Sequence, residues 1–291
     1  MNGKKTKRIQ IRNKRIKIIP RIDFLIKVET NYCIDEITSK TLLLTDKYDQ
    51  DILHQTRIAL RKLKSLIYFF NNFLRNNDFS LIKKLIHRLI SSTSKIRDYD
   101  VIKANYIYPS YVDNINDTDY KKFMIHSINE IHNIQEKKLS KLLSHEYLKT
   151  LTDLRDNINK CNWDKSPGQH HSKSLGKYID KKINKELDAI YMNIKYSYRL
   201  SNKNLHHLRI KIKEIRYVIE FFKFYIKHYK TVLKELKELQ DILGEINDTY
   251  VANSIIHDLK NSTHLISQHN YIKKTILKNR KSNIHILKNK I

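Results

Sequence analysis

Beyond residue 20, apolar positions recur at helical rather than strand spacing. Leu53, Leu60, Leu63 and Ile67 fall on one face of a helix, with Ile58 and Phe69 displaced to the far side of a polar arc. The same periodicity predicts helices at about 21–46, 50–75, 79–107 and 117–148, then at about 172–199, 202–228, 230–260 and 264–290. Breakers are scarce, with only 4 Gly and 3 Pro, too few for the turns of a sandwich, a barrel or a parallel sheet. Pro20 suits the first turn of a helix, Pro109 ends the third helix, and Trp163-Asp164-Lys165-Ser166-Pro167-Gly168 is the strongest punctuation. Short connections make consecutive helices antiparallel neighbours, so the expected fold is all-α, with two four-helix bundles. The expected division is an N-terminal arm over 1–20, a first bundle over 21–160, a linker over 161–171 and a second bundle over 172–291.

The two halves repeat one another. Leu53-His54-Gln55-Thr56-Arg57-Ile58-Ala59-Leu60-Arg61-Lys62-Leu63-Lys64 aligns at an offset of 152 with Leu205-His206-His207-Leu208-Arg209-Ile210-Lys211-Ile212-Lys213-Glu214-Ile215-Arg216. Phe69-Phe70 matches Phe221-Phe222 at that offset, and Asp49 matches Ser201, both good N-caps. At an offset of 150, Leu89, Ile96, Asp98 and Val101 match Leu239, Ile246, Asp248 and Val251. An internal duplication explains both matches and implies a pseudo-twofold relation between the halves.

Charge sharpens the picture. The 291 residues carry 57 Lys and Arg against 30 Asp and Glu, a formal net charge of +27, which calls for a polyanionic partner. A codon bias toward Lys, Asn, Ile and Tyr contributes to that count, so placement has to decide. The first 21 residues hold Lys4, Lys5, Lys7, Arg8, Arg12, Lys14, Arg15, Lys17 and Arg21 and no acid. No apolar stretch follows them as in a secretory signal, and no apolar run is long enough to span a bilayer, so a cytoplasmic protein with no membrane partner is expected. Cys33 and Cys161 stand alone, outside the spacing of a zinc module or a disulfide framework.

His54, Arg57, Arg61 and Lys64 are spaced 3, 4 and 3 residues apart and share one helical arc, as do His206, Arg209, Lys213 and Arg216. The arcs run beside the apolar face rather than opposite it, so Arg57 and Arg209 are expected to border the core without filling it. A single such stripe is ordinarily a solvated face or a set of snorkelling side chains. Its repetition at equivalent positions, with no acid in the arc, points to an anion site suited to a long, densely charged polyanion. Crowding by neighbouring cations is expected to lower the pKa of both His54 and His206.

These motifs resemble the two signature helices of the CHAD domain, the conserved histidine α-helical domain. Ile96-Arg97-Asp98-Tyr99-Asp100-Val101 and Leu239-Gln240-Asp241-Ile242-Leu243-Gly244-Glu245-Ile246-Asn247-Asp248 resemble the third helix of each half of that family. The resemblance covers roughly 21–291. It implies two four-helix bundles around a basic central channel that binds inorganic polyphosphate, with polyphosphate granules as one setting, and it implies no cofactor. Carried over by position, His54, Arg57, Arg61, Lys62 and Lys64 would line the channel from one half, and His206, Arg209, Lys213 and Arg216 from the other. Glu214 departs from the family pattern, standing where a basic residue is usual, which implies weaker phosphate binding there. The alternating-glutamate motif of the triphosphatase domain that often precedes CHAD domains is missing from the sequence.

Other features carry less. Lys83, Lys84, Arg88, Lys95 and Arg97 are candidate rim contacts, Asp98 and Asp248 candidate anchors inside each half, and Ser94 and Gly244 small residues that permit close helix approach. His170-His171 lacks the carboxylates of a metal site, and His257-Asp258 lacks the later Asp that a helical metal-dependent phosphohydrolase needs. With no Gly-rich phosphate loop and no nucleophile–base pair, the reading is a non-enzymatic polyphosphate-binding protein with no metal and no catalytic residue. The alternative is a sequence-independent nucleic-acid-binding protein using the basic arm, and the third is an enzyme of phosphate metabolism.

Overall fold

The structure, a computed structural model, describes residues 22–102, 118–143, 145–161, 163, 172–195 and 201–260, with 278, 281–283 and 285–287 near the C-terminus. The basic arm, Pro109, His170-His171 and most of the predicted eighth helix lie outside the described residues, as do the side chains of His257 and Asp258. Among the described residues every regular element is helical, and none of the helices is long and apolar enough to cross a membrane.

The first half begins with α1 (Ile22–Asp46) and α2 (Gln50–Phe69). Asp49 caps α2 as expected, accepting hydrogen bonds from the backbone N–H groups of Asp51 and Ile52 at 2.8 and 2.9 Å. The predicted third helix is two helices, α3 (Asn76–Ser92) and α4 (Ser94–Ile102), parted at Thr93. The cause is local: in Ser91-Ser92-Thr93-Ser94 the hydroxyls reach back to the carbonyls of Arg88, Leu89 and Ile90, which compete for the helical hydrogen bonds. The predicted fourth helix is also two, α5 (Thr118–Leu143) and α6 (Glu146–Lys160), and α6 extends well past the expected end at 148. Tyr147, Leu151, Leu154 and Ile158 recur at helical spacing and are buried, which is why the chain stays helical there.

The second half has α7 (Ser172–Lys195), α8 (Asn202–Phe222) and α9 (Lys230–Lys260). Ser201 caps α8 as expected, accepting from the N–H of Asn204 at 3.3 Å. Unlike its counterpart in the first half, α9 runs unbroken past Gly244.

All four residues of the predicted apolar face, Leu53, Leu60, Leu63 and Ile67, are fully buried. α1 lies on α2, α5 and α6; α7 and α9 lie on α8. The halves meet where α2 contacts α8 and α4 contacts α9. At the C-terminal ends of α2 and α8, the Phe70 and Phe222 rings meet edge to face at 5.8 Å, with Phe69 tilted 6.5 Å from Phe222. Phe70 and Phe222 are both almost wholly buried, and one continuous apolar core runs through them into both halves. Truncating Phe222 to Ala should therefore lower stability by about 3–5 kcal/mol, as for large buried aromatics generally. Urea unfolding measures this, and a loss well under about 1 kcal/mol would contradict a core shared at this junction.

Candidate functional site

Four helices deliver charge to one place between the halves. α2 brings His54, Arg57 and Arg61; α8 brings Arg209 and Lys213; α4 brings Arg97 and Asp98; α9 brings Asp248. Charge interactions link Arg61 to Arg209 and His54 to Lys213, so cations predicted separately on two helices form one cluster.

Equivalent positions in the duplication behave differently. Arg57 is 6% exposed and donates through Nη1 to the Thr93 hydroxyl at 2.6 Å, the Ile90 carbonyl at 3.3 Å and the Ser94 hydroxyl at 3.4 Å. It does not merely border the core, as the sequence led us to expect; it fills the break between α3 and α4 and adds a further donor to the Ile90 carbonyl, to which Thr93 and Ser94 also donate. Burial, then the nearby Arg61, lowers its pKa to about 10. Arg209 meets Gly244 instead: a Cβ at that glycine would lie 3.8 Å from the Arg209 Nε. No hydroxyl and no broken turn are offered there, and the Arg209 Nε is buried without a hydrogen-bond partner.

Lys213 is the most perturbed of the cluster cations. Burial, with Arg209 and Arg61 beside it, lowers its pKa to about 6, against the opposing pull of Asp248. Arg61 is pulled below its ordinary value by burial and by Arg209. His54, half-buried, is lowered by burial first and then by Arg97, Arg61 and Lys213, the direction expected from the sequence. His206 is exposed at the N-terminal end of α8, with Nδ1 2.5 Å from the Asn247 side-chain oxygen.

Of the remaining predicted cations, Lys64 and Arg216 have acid partners, and Arg216 still acts on Lys213 by charge. Lys64 is paired with Glu214 of α8 at 3.1 Å. Arg216 is paired with Glu220, donates to Gln240 at 3.0 Å and lies 4.7 Å above the Tyr217 ring. Lys62 is exposed, with its charge felt by Cys33 of α1. Of the candidate rim, Lys83, Lys84 and Lys95 are exposed, and Arg88 is paired with Glu146 of α6.

Arg97 belongs to the cluster itself. Its Nη1 is buried without a hydrogen bond, 3.8 Å from an Asp100 oxygen. Asp100, 1% exposed, accepts from the Tyr48 hydroxyl at 2.7 Å and lies 2.9 Å from the His132 Nε2, fixing α4 against α5. Tyr48, Asp100 and His132 were not singled out from the sequence, because their partners are 52 and 32 residues apart. Asp98 and Asp248 face the cluster as two carboxylates against a larger number of cations, and no trio of His, Cys, Asp or Glu suited to a metal occurs among the described residues.

A family model for the CHAD domain matches residues 31–257, a span that contains both basic helices and the aspartate-bearing helices beside them. The chain belongs to the CHAD domain family. The crystal structure of the CHAD domain from the plant Ricinus communis superposes with a TM-score of 0.67 at 18% identity, over 94% of this chain and 96% of that one. No curated protein matches the chain. This CHAD domain therefore shares its helical fold with the plant protein while its own side chains define the cluster.

Two outcomes follow from the burial of these cations. Between about pH 6 and the ordinary lysine value near 10.5, the folded protein binds fewer protons at Lys213 than the unfolded chain, so this group makes stability rise with pH. Melting temperatures from about pH 6 to about 9 should climb in the wild type, and the climb should be shallower in Lys213→Met. Arg57→Ala, by removing a buried charged donor from the Thr93 and Ser94 hydroxyls and opening a cavity at the helix break, should destabilise by about 2–4 kcal/mol in denaturant titration.

Proposed function

We propose that this CHAD domain binds inorganic polyphosphate and performs no reaction on it. The two halves are read as pseudo-twofold-related four-helix units enclosing a basic channel, in which Arg61, Arg97, Arg209 and Lys213 meet the ligand with His54 at their edge. The observation that carries this reading is the donor set itself: cations from α2, α4 and α8 held together at a buried seam, with the Arg209 Nε and Arg97 Nη1 lacking hydrogen bonds. Burying like charges side by side is costly unless an anion completes the site. A flexible chain of phosphates can supply oxygens to all of them at once. Membership of the CHAD family, which is associated with polyphosphate, supports the same ligand. Tyr217, the aromatic ring beside Arg216, is buried, so it offers no platform for stacking bases and a phosphate chain suits the site better than RNA.

Neutralising about four phosphates gives an expected log–log slope of affinity against salt near −3, by analogy with single-stranded nucleic acids. Arg61→Gln combined with Arg209→Gln should weaken long-chain polyphosphate at least about a hundredfold while circular dichroism stays helical. Competition against single-stranded RNA of equal charge tests the choice of ligand, and preference for the RNA would overturn it. Bound phosphates should also raise the depressed pKa values of Lys213 and His54, so binding takes up protons and affinity increases as pH falls from about 8 to about 6. Calorimetry in buffers of different ionisation enthalpy counts those protons, and Lys213→Met should take up fewer.

A further inference from the structure

We propose that Glu214 is an end stop in the basic channel: its carboxylate occupies the position of a phosphate group at Lys64 and Lys211, and so limits how far a bound polyphosphate chain can run. The inference rests on the polyphosphate reading and specifies its boundary. Glu214 directly follows Lys213 on α8 and lies about one turn beyond Lys211, toward the Phe70–Phe222 junction. One of its oxygens accepts from the Lys64 Nζ at 3.1 Å, and the other lies 3.8 Å from the Lys211 Nζ. Its side chain is 21% exposed and that of Lys64 27%, so this pair is shielded from water more than an ordinary surface ion pair.

A carboxylate and a phosphate present the same chemistry to an ammonium group: negatively charged oxygens that accept its hydrogen bonds. Glu214 therefore removes two cations from the pool that an external anion can use, and it repels a phosphate that approaches them. The duplication underlines the point. The position equivalent to Glu214 is Lys62, which is exposed and basic, so the acid is present in one half only. Nearly two turns further along α8, Glu220 holds Arg216 within the same helix. Space is not what ends the site here. A cleft of about 260 Å³ opens beside Glu214, lined by Tyr68, Lys182 and Lys211 among others, and a chain freed from the carboxylate could continue over it.

The test is isothermal titration of the full chain with long-chain polyphosphate and with orthophosphate, comparing wild type with Glu214→Gln. The amide keeps the size of the side chain and removes its charge. E214Q should bind long chains about tenfold more tightly, with a salt slope steeper by about 0.7 to 1.4, as expected for one or two added phosphate contacts. Orthophosphate, which cannot reach from Lys213 to Lys64 along a chain, should gain much less. Adding Lys64→Met to E214Q should cancel most of the gain, which separates a freed cation from a general change in folding. Wild-type binding with no gain in a folded E214Q overturns the end stop and leaves the polyphosphate reading standing. If neither wild type nor E214Q binds long-chain polyphosphate, that reading fails and the end stop fails with it.

Discussion

Everything at the seam depends on apolar contact between two helices that electrostatics would drive apart. α2 and α8 each carry a stripe of cations, and two unit charges 4 Å apart repel by about 4 kcal/mol at an effective dielectric of 20. Edge-to-face contact of Phe70 with Phe222, backed by Phe69 and Phe73, joins the C-terminal ends of these helices in a continuous core. Each fully buried Phe contributes about 1.5–3 kcal/mol, so these four rings together are of the right size to offset about two such repulsions. The aromatic junction is thus the device that lets the cation cluster exist at all. It also fixes which residues can meet, since the partners of Arg61 are set by where Phe70 is held.

Duplication placed the same residues twice, but neighbouring helices gave them different work. At the first copy, four consecutive hydroxyl residues part α3 from α4, and Arg57 donates to the Thr93 and Ser94 hydroxyls and the Ile90 carbonyl at that break. At the second, α9 runs unbroken through Gly244, and the Arg209 guanidinium lies against that glycine with Nε unbonded. His54 and His206 diverge similarly. The first is half-buried beside Arg97, and the second is exposed beside Asn247, which stands at the position equivalent to Arg97. A duplicated motif therefore yields an asymmetric site, in which Arg57 is satisfied while its counterpart Arg209 keeps a buried Nε unbonded.

The helical fold was legible because it rests on short-range signals. The apolar period along α2, the caps at Asp49 and Ser201 and the repeat at offsets of 150 and 152 are all local or pairwise in sequence. Membership of the family followed from the same motifs. The break at Thr93 was missed because the apolar period continues through it, from Leu89 to Ile96, while the competing hydroxyls are visible only as a run of polar residues. α6 was missed although Tyr147, Leu151, Leu154 and Ile158 keep a clear helical spacing. Within the candidate site, His54, Arg57, Arg61, Arg209 and Lys213 of the two arcs come together, but the arcs say nothing of their partners. Lys64 with Glu214 and Arg57 with Thr93 are contacts across 150 and 36 residues, which no helical wheel contains.

A crowded set of cations can be relieved in three ways, and the cluster uses each. Lys213 can give up its proton, which is what its pKa near 6 expresses. Arg57 is absorbed by backbone and hydroxyl oxygens at the helix break. Lys64 and Arg216 are matched by Glu214 and Glu220. Arg61, Arg97 and Arg209 are left. A guanidinium cannot usefully deprotonate near neutral pH, and the carboxylates nearby, Asp98, Asp100 and Asp248, leave the buried Arg97 Nη1 and Arg209 Nε without hydrogen bonds. These three arginines mark where the fold has no internal remedy, and an oxyanion from outside would complete them. Removing the same cations one by one should therefore raise the melting temperature of the free protein and, if the proposed polyphosphate site is right, weaken binding as well, the usual relation between a ligand site and the fold that carries it.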